Sequence, residues 1–194
     1  MQKKTDRRVR KTKAQLRAGL TKLMRTKSIK EISVKELVDE VDINRSTFYL
    51  HYADIFDMLE KIENELMEEF IYMINHYPAK NLKELHFPLM TNIFSFIYNN
   101  ADICYALMGP YGDITFVNKM KQMISDMNLK TLISMVPASV NDLELISSFC
   151  ITGCIGIIEN WLKGGTKEPP EYMSELTGKI MTNAIKTFIP EETK

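Results

Sequence analysis

With 194 residues, 45% of them apolar and only eight of them glycine, the chain can form one or two domains with a real core and is too apolar to be disordered. Its net charge of zero conceals an asymmetry, because residues 1–62 hold 15 Lys or Arg and 9 Asp or Glu (+6), and residues 63–194 carry −6. A basic segment on an acidic body predicts an anionic polymer as partner, with an ordinary solvated tail as the alternative.

The sequence carries no signal for export or membrane insertion. The N-terminus lacks the apolar core of a signal peptide. The longest uncharged run, residues 145–158, is too short to span a bilayer and contains two glycines. We therefore expect a cytoplasmic protein with no membrane partner.

Three cysteines, Cys104, Cys150 and Cys154, have no spacing typical of a disulfide framework. They predict reduced thiols in a protein core. Cys150 and Cys154 are one helical turn apart, which leaves a soft-metal or redox site as the alternative, but no histidine or carboxylate pattern supports it. We predict no metal site and no cofactor.

Residues 33–59 have the pattern of a helix-turn-helix. Ser33 is a good N-cap with Glu36 as its capping-box partner. An apolar stripe at i, i+3, i+4 and i+7 follows, formed by Val34, Leu37, Val38 and Val41. Asn44 can cap a second helix over residues 45 to about 52. In this motif the second helix lies in the DNA major groove with its N-terminal residues at the base edges.

The second helix is polar in its first turn and aromatic in its second. Phe48 and Tyr52 are separated by four residues, so both should pack inward. Tyr49 and Leu50 should then remain exposed. An exposed Tyr–Leu pair suits sugar-phosphate and thymine methyl groups better than solvent.

The run Thr47-Phe48-Tyr49-Leu50-His51-Tyr52 resembles the T-[FL]-Y-x-H-[FY] signature of the TetR (tetracycline-repressor-like) transcriptional regulators. The resemblance is strong over residues 8–62; beyond them it rests on length, helical layout and an echo in ITGCIGIIENWLKGGTKEPPE. One departure concerns Ile55, where the family often has a lysine that anchors a phosphate. Either this contact is missing, or backbone N–H groups at the start of the next helix, capped by Asp54, donate instead.

The helical pattern and the resemblance together imply an all-α fold of about nine helices. Residues 1–55 are predicted to form a three-helix DNA-binding domain with the helix-turn-helix, and residues 56–194 a larger helical domain for dimerisation and ligand binding. Residues 1–12 are predicted to be a mobile basic arm. The other predicted helices cover residues 8 or 13 to 27, 54–76, 82–99, 101–108, 114–135, 141–163 and 170–188.

The predicted DNA contacts come from the first helix and from the helix-turn-helix. The first three residues of the second helix would approach base edges, with Arg45 a candidate guanine reader, while Tyr49 and His51 would bind phosphate. For the cations of the first helix the alternative is ordinary solvation. The full predicted set is Arg10, Lys11, Lys13, Ser33, Asn44, Arg45, Ser46, Thr47, Tyr49, Leu50 and His51.

The last two long helices are the predicted interface of a homodimer, which the resemblance implies as a four-helix arrangement. Two mid-helix glycines need a packing reason, because glycine there costs up to about 1 kcal/mol relative to alanine. The alternative is that both helices are internal core. The predicted interface residues are Phe149, Gly153, Gly156, Ile157, Asn160, Met173, Leu176, Ile180 and Ala184.

The middle helices are rich in methionine and aromatic residues, which would suit a pocket for a small hydrophobic effector. Plain core is the alternative for such residues at helical spacing, and a protein co-regulator is the alternative partner. The predicted pocket residues are Phe94, Ile97, Met108, Phe116, Met120, Met123 and Phe149.

We therefore predict a sequence-specific transcriptional regulator, a dimeric repressor that binds a palindromic operator and is released by a small molecule or partner. The alternative is a helical interaction module whose basic arm binds a membrane or another protein without specificity. An enzyme is not expected, because His51, His76 and His86 are scattered without metal-ligand spacing and no serine lies in a nucleophile elbow.

Overall fold

The computed structural model describes residues 2–75 and 82–186. Within these ranges the chain forms nine α-helices and one 3₁₀ turn, and no strand, which confirms the predicted all-α fold. The helices are α1 Gln2–Met24, α2 Val34–Glu40, α3 Arg45–Tyr49, α4 Ile55–Asn75, α5 Leu82–Asn99, α6 Ala101–Met108, α7 Ile114–Met135, α8 Val140–Lys163 and α9 Pro170–Lys186, and the 3₁₀ turn is Ile29–Glu31.

The first helix begins earlier than predicted. It starts at Gln2 and continues to Met24, so the prediction of a mobile arm over residues 1–12 is wrong for the residues that the structure describes. Residues 2–12 include no glycine or proline and are rich in Lys, Arg and Gln, which are good helix formers. The helix can therefore extend through them without a local barrier.

The chain divides into two compact units. Unit 1 comprises the chain up to Glu68 together with Asp102–Ile114, and unit 2 comprises Glu69–Ala101 and the chain from Thr115 onwards. The two units are defined by how the backbone packs and not by what each part does. The predicted functional boundary between residues 55 and 56 therefore stays a prediction. Helix α4 contributes its first part to unit 1 and its last part to unit 2.

Unit 1 is built around apolar residues of α1 to α4, and it also contains most of α6. Its fully buried side chains include Leu16, Leu20, Leu37, Phe48, Met58, Ile62 and Leu107. Arg25, which directly follows α1, donates a hydrogen bond to Asp102 of α6 at 2.5 Å, and its guanidinium lies 5.4 Å from the ring centre of Tyr105. The sequence had predicted α6 to be part of the C-terminal body, but its packing partners are in unit 1.

Unit 2 contains α5, α8, α9 and most of α7. One cluster of its core consists of Leu132, Val136, Leu143 and Ile185. Phe94 packs edge-on against Trp161 with ring centres 5.4 Å apart. Helix α9 lies along α5, where the hydroxyls of Thr91 and Ser174 are 2.7 Å apart.

The three cysteines are free thiols, as the sequence predicted. Cys104 and Cys150 are buried and Cys154 is half-buried. Burial raises the pKa of Cys104 and of Cys154 to about 12, because the charged thiolate loses its hydration. At neutral pH these thiols are therefore protonated.

Helix α8 is, by length and composition, apolar enough to cross a membrane. One third of its most apolar stretch is buried inside the chain. Core helices of other proteins have the same length and composition, so this one helix is weak evidence for a membrane span.

Helices α1 and α2 approach each other closely at Gly19. A Cβ atom at this position would lie 2.3 Å from Cγ1 of Val41 and 3.0 Å from Cδ1 of Leu37. Because Gly19 has no side chain, α2 can pack closely on α1 at this position.

We predict that Gly19→Ala destabilises the protein by about 1–3 kcal/mol, because overpacking outweighs the gain in helix propensity. Urea unfolding measures the change. Ala18→Gly, the reverse exchange at an exposed position of the same helix, is the control, because it changes helix propensity without changing the packing of α2. Equal stability of Gly19→Ala and wild type would show that α1 and α2 can separate at no cost.

Candidate nucleic-acid interface

Helix α3 has only five residues, and it is fixed at its start and at its inner face. The side chain of Asn44 caps it by accepting a hydrogen bond from the N–H of Ser46 at 2.8 Å. Phe48 is fully buried and Tyr52 is 5% exposed, with their ring centres 5.6 Å apart. The predicted inward packing of these two rings is confirmed.

The outer face of α3 is open to solvent. Arg45 and Ser46 are exposed, and Thr47 is half-buried. Tyr49 is 48% and Leu50 79% exposed, which confirms the predicted exposure of this pair. These residues share one surface, so a single ligand could contact them all.

Helix α3 ends at Tyr49, about three residues earlier than predicted. The chain continues as a turn in which the N–H groups of His51 and Tyr52 both donate to the carbonyl of Phe48, at 2.9 Å and 3.1 Å. Leu50 and His51 therefore belong to the turn that follows α3. His51 is half-buried.

Arg45 and Tyr49 form a pair on the exposed face of α3. The guanidinium of Arg45 donates to the hydroxyl of Tyr49 at 3.1 Å and lies 5.6 Å from the ring centre. The spacing i, i+4 could have predicted this pair, because such residues are neighbours on a helix surface. The contact restricts the rotamers of Arg45 before any ligand arrives.

The start of α4 leaves both alternatives for the phosphate anchor open. Ile55 is 3% exposed, so it fills the core rather than facing a ligand. The carboxylate of Asp54 accepts the N–H of Asp57 at 2.8 Å, and the carboxylate of Asp57 accepts the N–H of Ala53 at 2.8 Å. Two backbone donors at this helix start are thus already bonded to carboxylates.

Lys61, one turn further along α4, folds back onto the same corner. Its ammonium donates to the carboxylate of Asp57 at 2.8 Å and to the carbonyl of His51 at 3.4 Å. It also lies 5.5 Å from the ring centre of Tyr52. The hydrogen bond from Lys61, followed by that from Ala53, lowers the pKa of Asp57.

The remaining predicted contacts lie on α1 and at the start of α2. Arg10 and Lys11 are exposed, while Lys13 approaches Glu65 at 3.9 Å. Ser33 caps α2, as predicted, by accepting the N–H of Glu36 at 3.1 Å. The carboxylate of Glu36 pairs with Lys27. The DNA-contact role of each of these residues stays a prediction.

The predicted dimer residues divide between an outer face and the core of unit 2. Phe149 is 66%, Leu176 40% and Ile180 48% exposed, and Gly153, Gly156 and Asn160 are exposed with them. Met173 is buried, and Ile157 and Ala184 are half-buried. Leu145 and Tyr172, which the sequence analysis missed, are 65% and 53% exposed. We call Leu145, Phe149, Tyr172, Leu176 and Ile180 the α8–α9 outer face.

The predicted pocket residues are not gathered in one core. Phe94 and Ile97 are buried in unit 2, and Phe116, Met120 and Met123 are half-buried there. Met108 belongs to unit 1, and Phe149 lies on the α8–α9 outer face. The pocket stays a prediction that rests on the first five residues.

Comparisons with known proteins agree with this arrangement. A family model described as the C-terminal region of TetR-type transcriptional regulators matches residues 84–183. The fold is similar to that of the fatty acid degradation regulator FadR from Bacillus halodurans, with 12% identity, a TM-score of 0.68, and coverage of 88% of this chain and 94% of that chain. The search of curated proteins finds no significant match.

Two further solved structures share the fold. FadR from Bacillus subtilis, solved in complex with stearoyl-CoA, has 13% identity and a TM-score of 0.63, over 89% of this chain and 98% of that chain. A TetR transcriptional regulator from Streptococcus agalactiae 2603V has 18% identity and a TM-score of 0.60, over 93% and 99%.

The all-helical fold and the helix-turn-helix are those of a transcriptional regulator that carries its DNA-binding motif and a larger helical unit in one polypeptide. Since the family model covers about half of the chain, the family follows directly from the match. The chain belongs to the TetR family of transcriptional regulators.

We predict that Tyr49→Phe lowers the discrimination between cognate and altered DNA sites about threefold to tenfold, because Arg45 loses the hydroxyl that restricts its rotamers. The ring and its contact with Phe48 remain. Competition binding with sites altered at single base pairs measures the effect. Tyr72→Phe, also an exposed tyrosine but in unit 2, is the control. An unchanged ranking of sites would mean that Tyr49 does not act through Arg45.

Proposed function

We propose that the protein is a homodimeric repressor that binds a near-palindromic operator and is released by an effector. Two copies of unit 1 would place their α3 helices in successive major grooves, one per half-site. The observation that carries the proposal is the exposed polar face of α3, held by the Asn44 cap and by the burial of Phe48. Solvent alone gives no reason for Leu50 to be 79% exposed beside it.

In the proposed complex the residues of α3 have separate roles. Arg45, Ser46 and Thr47 would approach base edges, and Leu50 would touch a thymine methyl group. Tyr49 and His51 would bind the sugar-phosphate backbone, which fixes register without reading sequence. Arg10, Lys11 and Lys13 of the basic α1 helix would add contacts to phosphate.

The α8–α9 outer face supports dimerisation. Five large apolar side chains are exposed on two helices that pack on each other. Within the chain, nothing lies within 4 Å of a Cβ at Gly153 or Gly156, so neither glycine is needed for internal packing. Close packing of α8 against the α8 helix of a second copy would explain why both positions are glycine.

Release by an effector would act on unit 2 and reach unit 1 through α4. This helix continues from one unit into the other, from Ile55 to Asn75. Stearoyl-CoA bound to the Bacillus subtilis FadR is a precedent for a hydrophobic effector on this fold. Phe94, Ile97, Phe116, Met120 and Met123 are the candidate contacts, and a protein co-regulator is the alternative. A coupling of about 1–3 kcal/mol would lower the affinity for the operator.

The experiment that tests the proposal is fluorescence-anisotropy binding of the purified protein to DNA from its own upstream region. The titration is repeated across salt concentrations and with scrambled competitor. We expect tight, competitor-resistant binding with two protomers per site. Weak binding that disappears with salt and ignores sequence would instead favour an interaction module with a basic first helix.

We predict different consequences for the base-reading and the phosphate-binding residues. Arg45→Ala should lose about 1–3 kcal/mol on the cognate site and relax base preference at one position. His51→Ala should weaken all sequences by a similar factor, because backbone contacts carry no base information. Equal losses on all sequences for both variants would contradict this division.

We also predict opposite effects of Gly153→Ala and Gly156→Ala on helix stability and on dimerisation. Alanine should stabilise α8 in the monomer by up to about 1 kcal/mol. If a second α8 packs closely, the added methyl groups should raise the dimer dissociation constant about tenfold or more. Analytical ultracentrifugation measures this constant. Lys163→Ala, on the exposed end of the same helix, is the control.

A further inference from the structure

The turn between α3 and α4 is an acidic corner beside the proposed DNA contacts. Asp54 caps α4 and Asp57 bonds the N–H of Ala53, so two carboxylates lie at the helix start. His51, a proposed backbone contact, is three residues before Asp54. Ile55 is buried in the core, so it places no charge at this corner. Without another cation, this corner would repel a phosphate.

Lys61 supplies that cation from the next turn of α4. Its ammonium is 2.8 Å from the Asp57 carboxylate and 3.4 Å from the carbonyl of His51, and it lies over the ring of Tyr52. The side chain is about half exposed, and it is held by three separate groups rather than extended into solvent. The position of the Lys61 ammonium is therefore fixed by its contacts with Asp57, His51 and Tyr52.

We propose that Lys61 is a positioning residue for DNA binding, which acts by neutralising Asp57 so that the phosphate backbone can approach the α3–α4 turn. The inference rests on the proposed function and deepens it. Lys61 directs its donors at Asp57 and at the carbonyl of His51, so it acts through them rather than by binding phosphate.

This role predicts a pattern that a direct phosphate contact does not. In Lys61→Met the Asp57 carboxylate keeps its charge and faces the incoming DNA, so every sequence binds more weakly. In the double variant Asp57→Asn with Lys61→Met, the carboxylate charge is removed as well, while the amide oxygen of asparagine can still accept the N–H of Ala53. Binding should then recover.

The test compares the full-length variants with wild type by anisotropy, on cognate and scrambled DNA, from about 50 to 200 mM salt. We expect Lys61→Met to bind about fivefold to tenfold more weakly, Lys61→Arg to stay within about threefold of wild type, and the double variant within about twofold. The slope of log affinity against log salt should be the same for the double variant, Lys61→Arg and wild type, because no phosphate contact is lost. The loss in Lys61→Met should become smaller as salt screens the uncompensated carboxylate of Asp57.

Lys22→Met is the matched control. It removes one positive charge from the same unit and leaves Glu40, its partner at 2.5 Å, without a cation, but it is not part of the α3–α4 turn. Its affinity should stay within about twofold of wild type. A nuclear magnetic resonance titration adds a readout without DNA, since the pKa of Asp57 should rise in Lys61→Met and stay unchanged in Lys22→Met.

Three results would each overturn the inference. The first is that Lys61→Met binds with wild-type affinity, and the second is that Lys22→Met loses as much affinity as Lys61→Met. The third is that the double variant binds as weakly as Lys61→Met and has a salt slope lower than that of wild type by about one, as expected for a lost phosphate contact. If wild type prefers no sequence, the proposed function fails separately. The same order of variants is then expected in non-specific binding, which depends on the phosphate backbone.

Discussion

The recognition surface depends on the burial of Phe48. A helix of five residues is far too short to be stable in isolation, so α3 exists because its inner side chain is inserted in the core of unit 1. Full burial of such a ring contributes about 2–3 kcal/mol. The cap at Asn44 then fixes where the helix begins. Because Arg45 directly follows the cap, its position is set by the core rather than by the surface.

The sequence predicted this part of the fold because the relevant forces act over short distances along the chain. Ser33 and Asn44 were recognised as caps since their oxygens bond N–H groups two or three residues away. Phe48 and Tyr52 follow from helical spacing. The exposure of Leu50 follows from the same spacing, because it is two residues from both Phe48 and Tyr52 and therefore points away from the core.

What the sequence did not predict depends on residues that are distant in the chain. Helix α6 packs in unit 1 through Arg25, 77 residues before its partner Asp102. Met173 was expected on the outer face, but α9 packs along α5 and turns that residue into the core. The spacing i, i+4 could have predicted the pair of Lys61 with Asp57, but it does not predict the second contact, in which the ammonium of Lys61 reaches the carbonyl of His51 in the preceding turn. The spacing of apolar residues indicates which face of a helix is buried, but it does not indicate which other helix packs against that face.

The placement of α6 makes unit 1 discontinuous in sequence, and this limits how the protein can be recombined. A single crossover near residue 68 would combine the first segment of unit 1 from another protein with the α6 segment of this one, whose Ile103 and Leu107 are buried. A functional chimera therefore needs a second exchange over residues 102–114. The chain up to Glu68 and the segment Asp102–Ile114 therefore have to be exchanged together, although they are separate in the sequence.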